Sequence, residues 1–196
     1  MKLINKIHST AIIDEKVKIG TGSKIWHWTH ISKNCRIGKN TTIGQNVFIG
    51  ENVRIGSNVK IQNNVSIFEG VELEDYVFCG PSVTFTNVLI PRAEFPIVDK
   101  KKQYKKTLIK KGVSIGANST IVCGIKVNKY ALIAAGSVVT KDVDSYSLVM
   151  GVPAKQKEWV ARSGKKLNFS GLNKTAKCEK TKEKYKLIKN KCLLVK

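Results

Sequence analysis

Histidine is scarce in this chain. There are three in 196 residues, His8, His27 and His30, and none beyond position 30. A catalytic zinc site built on three imidazoles needs them to converge, and here the central and later stretches supply none. Carboxylates are scarce too, 14 Asp and Glu against 35 Lys and Arg, for a formal net charge of +21. No apolar run approaches the roughly 18 residues of a membrane-spanning helix, so no membrane span is expected. The opening Met1-Lys2-Leu3-Ile4-Asn5-Lys6 holds neither an extended apolar stretch nor a small-residue cleavage site. The reading is no signal peptide and a cytoplasmic location. The five cysteines, Cys35, Cys79, Cys123, Cys178 and Cys192, are odd in number and widely spaced. That argues against a disulfide framework and for reduced, partly buried thiols. Cys178 and Cys192 lack ligands at zinc spacing, so no structural metal is expected.

The positive charge is uneven. Residues 155–196 carry 14 Lys and Arg against Glu158, Glu179 and Glu183, a net of +11. Such a segment suits nucleic acid or an anionic membrane surface. Few aromatics interleave with its lysines, so no specific nucleic-acid partner is expected. A solvated basic surface, gathering polyanionic small substrates, is the favoured account.

What the chain has is a beat of six. Apolar residues fall at Ile13, Ile19, Ile25, Ile31, Ile37, Ile43, Ile49, Ile55, Ile61, Ile67, Leu73, Cys79 and Phe85. Two places earlier stands a smaller or β-branched residue, as at Val47, Val53, Val59 and Val65. Six is not a helical period. It is strand alternation interrupted by a turn, with positions i and i−2 facing one way. Gly-x-Asn turns such as Gly44-Gln45-Asn46 supply the backbone freedom each corner needs. One rung cannot bury its apolar face alone, so the rungs must stack into a solenoid. The beat stops after Phe85 and resumes at Thr107-Leu108-Ile109, then runs to Val139. The insertion between, of about 20 residues (about 88–106), must project outward. The expected fold class is all-β. A parallel β-helix fills residues 1–150, with about six coils if three hexapeptides make one turn. Residues 151–196 form a small basic extension. In it residues 155–163 read as a short helix stopped by Gly164, and residues 183–195 as a hairpin across Lys189-Asn190-Lys191.

With coils of 18 residues, three columns of corners follow. Column I holds Gly20-Thr21-Gly22, Gly38-Lys39-Asn40, Gly56-Ser57-Asn58 and Glu74-Asp75-Tyr76. Column II holds Trp26-His27-Trp28, Gly44-Gln45-Asn46, Gln62-Asn63-Asn64 and Gly80-Pro81-Ser82. Column III holds Ser32-Lys33-Asn34, Gly50-Glu51-Asn52, Phe68-Glu69-Gly70 and Thr86-Asn87-Val88, from which the insertion departs. Column II is unusual, because a turn needs neither two Trp and a His nor the amides Gln45, Asn46, Asn63 and Asn64. Those residues serve equally as an amide ladder packing a neighbouring subunit or as ligand contacts. His30, Phe48, Ser66 and Thr84 form an outward column, in which His30 is a ligand contact or an interface residue.

The non-glycine corners carry a resemblance. Ile25-Trp26-His27-Trp28-Thr29-His30-Ile31, Lys60-Ile61-Gln62-Asn63-Asn64-Val65-Ser66, Phe78-Cys79-Gly80-Pro81-Ser82-Val83-Thr84-Phe85-Thr86-Asn87, Pro91-Arg92 and Gly151-Val152-Pro153-Ala154 resemble the bacterial UDP-2-acetamido-3-amino-2,3-dideoxyglucuronate N-acetyltransferases. These are hexapeptide-repeat enzymes of surface-polysaccharide (O-antigen) synthesis. The family usually has Gly-Ala-Gly where this chain has Ala134-Ala135-Gly136. The resemblance implies a left-handed β-helix, a homotrimer with sites between solenoids, acetyl-CoA as acyl donor and a nucleotide-sugar substrate. Its related alternative is a dTDP-3-amino-3,6-dideoxyhexose. The implied CoA contacts are backbone groups near Ala117 and Ala135, with Thr140, Lys141 and Lys155 near the phosphates or adenosine and Pro153 beside adenine. Asn87 is the leading catalytic candidate, with Glu69 one coil below it. Arg92 is a candidate reader of a substrate carboxylate, and His27, His30 and the four amides are candidates for sugar or nucleotide contacts.

An amine attacking a thioester needs alignment more than a strong base. Absence of histidine after His30 therefore favours N- over O-acetylation. The competing readings are a zinc carbonic anhydrase of the same architecture, a non-catalytic solenoid scaffold, and polyanion binding by the basic extension.

Overall fold

The computed structural model describes residues 4–170 and 174–195. Met1 to Leu3 of the leader reading, and residues 171–173 and Lys196 of the basic extension, lie outside the described residues. From Lys6–Ile7 to Val138–Val139 the chain is a succession of strands of two or three residues. Each pairs in parallel with the strand one coil on, as Lys6↔Lys24, Ile25↔Ile43 and Ile43↔Ile61. The coil is therefore 18 residues, and its three sides form three sheets. Eight parallel rungs stack on the first face, seven on the second and six on the third. This is more than the six coils expected. Lys6–Ile7 precedes the first position counted from the beat. Ser147–Gly151 adds a rung after the last, in a coil shortened to 16 residues (Ile133↔Val149).

The core follows from alternation. Ile31, Ile43, Ile49, Ile67, Ile115, Ile121 and Ile133 are fully enclosed, each stacked on the same position of the next coil. Cys79 and Phe85 take the same place without breaking the stack. At the corners the third residue has positive φ, as at Asn40 (53°), Asn46 (53°), Asn52 (61°) and Asn64 (60°). Asn tolerates this conformation through its short polar side chain. The first residue is Gly where the next coil presses on it. A Cβ at Gly38 would stand 2.5 Å from the Gly56 carbonyl carbon.

The insertion lengthens one coil to 36 residues, since Val71 pairs with Thr107 and Phe78 with Ser114. The excess equals one coil, which is why the beat resumes in phase. Its base is closed where the Lys105 N–H donates to the Asn87 carbonyl (2.9 Å) and the Thr107 N–H to Gly70 (2.9 Å). Inside it lies a short helix, Lys100–Gln103.

The helix expected over 155–163 is instead a strand. Ala154–Trp159 runs antiparallel to Ser147–Gly151. The Gly151-Val152-Pro153 turn, with Gly151 at φ 103°, reverses the chain onto an open sheet edge, and pairing there overrides the helix propensity of the Lys- and Glu-rich segment. Beyond it, Thr175–Lys177, Lys184–Ile188 and Lys191–Val195 form a three-stranded antiparallel sheet. The expected hairpin is present, its turn made by Lys189 and Asn190, both at positive φ. A second core of Tyr146, Ala161, Leu167, Ala176, Cys178, Tyr185 and Cys192 sits beneath this sheet. Tyr146, stacked on Tyr130 (5.5 Å between centroids) and edge-on to Tyr185 (5.4 Å), ties it to the solenoid. All five cysteines are free and fully buried, more than the partial burial expected. Burial pushes the Cys35 thiol up to about 11 and Cys79 to about 12, which makes them core atoms rather than nucleophiles.

Candidate functional site

Trp26–Trp28 and Gln62–Asn64 lie on the same edge. One backbone ladder climbs it: Asn46 N–H to His27 O (2.9 Å), Asn64 to Gln45 (3.0 Å), Ser82 to Asn63 (2.9 Å), Asn118 to Pro81 (2.9 Å) and Gly136 to Ala117 (2.8 Å). Column II thus continues through Ala117 and Ala135 to the Gly151-Val152-Pro153 turn. The amides partly satisfy one another. Asn63 Oδ1 accepts the Gln45 N–H (3.0 Å), and Asn46 Nδ2 donates to Asn64 Oδ1 (2.9 Å). The Gln45 side chain and the Asn63 and Asn64 amino groups stay open to solvent on this edge. A shallow cleft of about 320 Å³ borders it, lined by Trp26, His27, Thr42, Gln45, Gln62 and Asn63. Trp28 is 63% exposed at φ 53°. Its φ is the one the third corner position takes, as at Tyr76 (60°), but the turn does not call for an exposed indole, which adds apolar surface to this edge. His27 stacks on His8 (3.6 Å between centroids), while His30 Nε2 meets Asp14 Oδ1 at 3.1 Å. The three imidazoles do not converge on a common point, and among the described residues no three His, Cys, Asp or Glu side chains form a metal-holding group.

Column III carries Glu69 and Asn87. Asn87 is half-buried at the foot of the insertion. Its carbonyl is bonded to Lys105, and its side-chain amide makes no hydrogen bond among the described residues. Glu69 Oε1 accepts from Asn52 Nδ2 (2.8 Å), and its other oxygen lies 3.7 Å from Lys100 Nζ, which also approaches Glu51 (3.9 Å). The insertion therefore folds back over this corner. A cleft of about 360 Å³ results, lined by Asn52, Arg54, Glu69, Lys100, Tyr104 and Lys106. Sequence reasoning missed Arg54, Lys100 and Tyr104. The sequence says that the insertion projects outward, but nothing in its run Asp99-Lys100-Lys101-Lys102 says where the loop lands. Arg54 was legible only as an outward position stacked on Arg36.

The remaining candidates divide. Ala117 and Ala135 share column II; the Ala117 carbonyl is taken by the Gly136 N–H, while the Ala117 N–H and both backbone groups of Ala135 make no hydrogen bond among the described residues. Pro153 and Lys155 stand at the end of that same edge. Thr140 and Lys141 are exposed on column III, across the second face. Arg92 is exposed on the insertion, its Nη1 bonded to the Pro91 carbonyl (3.2 Å), outside the lining of both clefts. One chain thus brings the amides and Ala135 together on one edge, and Glu69 and Asn87 together on another.

Family models agree with the beat. The bacterial transferase hexapeptide (six repeats) matches residues 16–51 and 34–69, and the hexapeptide repeat of succinyl-transferase matches 107–141. The prism is therefore the left-handed parallel β-helix of hexapeptide repeats. Among curated proteins, the chain is 43% identical over 79 residues to the dTDP-3-amino-3,6-dideoxy-alpha-D-galactopyranose 3-N-acetyltransferase of Aneurinibacillus thermoaerophilus. The match covers 40% of this chain and 41% of that one, so the chain spans about two fifths of that relative's length. Among solved structures, PerB from Caulobacter crescentus in complex with CoA and GDP-perosamine is similar at TM-score 0.51 and 19% identity, over 80% of this chain and 58% of that one. A variant of AntD, an N-acyltransferase from Bacillus cereus in complex with dTDP and Coenzyme A, gives TM-score 0.55 and 20% identity, over 82% and 84%. At these identities the structural likeness speaks for the fold.

Proposed function

Because the chain is a hexapeptide-repeat, left-handed β-helix protein, we propose that it is an acetyl-CoA-dependent N-acetyltransferase acting on a nucleotide-linked amino sugar. The carrying observation is the single polar edge of column II. It runs from the Trp26 cleft through the amides to the open backbone of Ala135 and to Pro153, giving an extended donor and a nucleotide sugar one continuous track. Acetyl-CoA supplies an activated acyl group. The sugar amine attacks the thioester carbonyl, the C–N bond forms, the C–S bond breaks, and the proton lost by the amine ends on the released thiol.

In this reading Asn87, one coil above Glu69 on column III and beside the Glu69 cleft rather than in its lining, orients the amine through its unpaired amide, while Glu69, held by Asn52, faces the polar groups of that cleft. Gln45, Asn63 and Asn64 offer donors and acceptors to sugar or base. Their separation from Glu69 and Asn87 in one chain favours a homotrimer, in which column II of one copy meets column III of the next. The favoured acceptor is a dTDP-linked 3-amino-3,6-dideoxyhexose, supported by the relative's substrate. The UDP-linked uronate needs a carboxylate reader, and Arg92 stands outside both clefts. The test is release of free CoA thiol from acetyl-CoA on adding dTDP-3-amino-3,6-dideoxygalactose, with calorimetry for CoA binding. Acceptor-dependent release supports the proposal. A protein that binds no CoA and releases no thiol is a scaffold instead.

A further inference from the structure

The outer face of the C-terminal sheet has no part in that chemistry. Directly opposed residues of an antiparallel pair share a face. The registers Lys177↔Lys184↔Val195, Thr175↔Lys186↔Leu193 and Ile188↔Lys191 therefore put these eight side chains on one side. Ala176, Tyr185 and Cys192 fall on the other, in the second core. The outward side carries four lysines, three aliphatics, a threonine and no carboxylate. Among the described residues none of the four lysines stands in an ion pair. The nearby Glu183 is turned away, to Arg162 (3.1 Å) and the Tyr185 hydroxyl (2.9 Å). Lys177 directly opposite Lys184 is unfavourable in an isolated sheet. Ile188 and Leu193 are each 47% exposed and Val195 42%, and a cleft of about 600 Å³ opens beside Lys177, Lys184 and Lys186.

We propose that this face docks on an anionic lipid bilayer. The lysines reach lipid phosphates along their aliphatic stems, while Ile188, Leu193 and Val195 enter the headgroup boundary. The observations favour this over two other occupants. No aromatic stands on the face to stack bases, and a second copy would oppose lysine to lysine in a two-fold contact. The inference is independent of the catalytic reading.

The test is co-sedimentation of the full chain with phosphatidylglycerol-rich vesicles and with pure phosphatidylcholine vesicles. Binding to the first alone is expected, falling as salt rises. K184E/K186E should lower partitioning by at least roughly 20-fold, about fivefold per lysine lost. L193S/I188S should abolish the salt-resistant fraction. A control, K24E/K60E on the first face, makes the same change in net charge and should bind like wild type. Equal loss in the control, equal binding to neutral vesicles, or displacement by RNA at matched phosphate would each overturn the proposal.

Discussion

Gly116 opens one corner of column II and Gly136 closes the next, on either side of Ala135, and they should respond differently to the same substitution. A methyl at Gly116 would stand 2.7 Å from the Ala135 Cα and closer still to its amide nitrogen. Ordinary carbon contacts are about 3.5–4.0 Å, so the two coils must part by roughly 1 Å at this corner. The bonds from Gly116 N–H to Ile133 (2.8 Å) and from Gly136 N–H to Ala117 (2.8 Å) span that gap. Overpacking costs about 1–3 kcal/mol, and weakening two net hydrogen bonds adds about 0.5–1.5 kcal/mol each, so Gly116→Ala should lose about 2–6 kcal/mol in all. Gly136 meets the opposite constraint. Nothing lies within 4 Å of its would-be Cβ, but its φ is 70°, so Gly136→Ala should cost about 1–2 kcal/mol of left-handed strain. Urea unfolding followed by tryptophan fluorescence measures both, with unchanged slopes as the check on a common unfolded state. Calorimetry should show weaker CoA binding in the Gly116 variant, because its corner is displaced at Ala135. If Gly116→Ala is neutral, or Gly136→Ala is the more damaging, the column is not stacked as described.

Asn87→Ala should lower turnover by roughly 10²–10³-fold, the range for removing one group that acts in the transition state, with CoA affinity unchanged by calorimetry. Equal losses in turnover and CoA affinity would make Asn87 a structural foot of the insertion. Arg92→Ala should leave turnover of a neutral 3-amino sugar unchanged, and a selective loss on a uronate would restore its role as carboxylate reader. Burial pushes the Glu74 carboxyl up, but hydrogen bonds from Lys110 and the Lys111 N–H outweigh that and hold it below its usual range. A depressed folded value stabilises the fold above the ordinary glutamate value and ceases to do so as pH falls through the folded one. The stability difference between wild type and Glu74→Gln should therefore be full at neutral pH and shrink below the ordinary glutamate value, about pH 4.3. A difference constant across acid titration contradicts the assignment.

The fold was legible because burial in a β-helix repeats with the rung, so Ile25, Ile43 and Ile61 announce one inward line. Column II followed by adding 18, and the structure keeps Trp26 and Gln62 on one edge. The insertion did not blur this because its excess is one whole coil. What the sequence hid depends on tertiary choice. Residues 155–163 have helical composition, yet the Gly151-Val152-Pro153 reversal pairs those up to Trp159 with an open strand. The third strand of the basic sheet, Thr175–Lys177, is too short to announce itself. The landing of Lys100 on Glu69 is set by where the loop folds back, which no local pattern encodes. The separation of Glu69 and Asn87 from the amides was implicit in their assignment to columns III and II. It became consequential only when the clefts appeared on different edges.

The central claim is acetyl transfer to a sugar amine. It is tested most directly by incubating the protein with acetyl-CoA and a panel of dTDP- and UDP-linked amino sugars, each beside its hydroxyl counterpart, and reading product masses. The account predicts gain of one acetyl group on the dTDP-linked 3-amino-3,6-dideoxyhexose and none on the hydroxyl sugar. No acetylation of any amine in the panel, or transfer to hydroxyl alone, would contradict it.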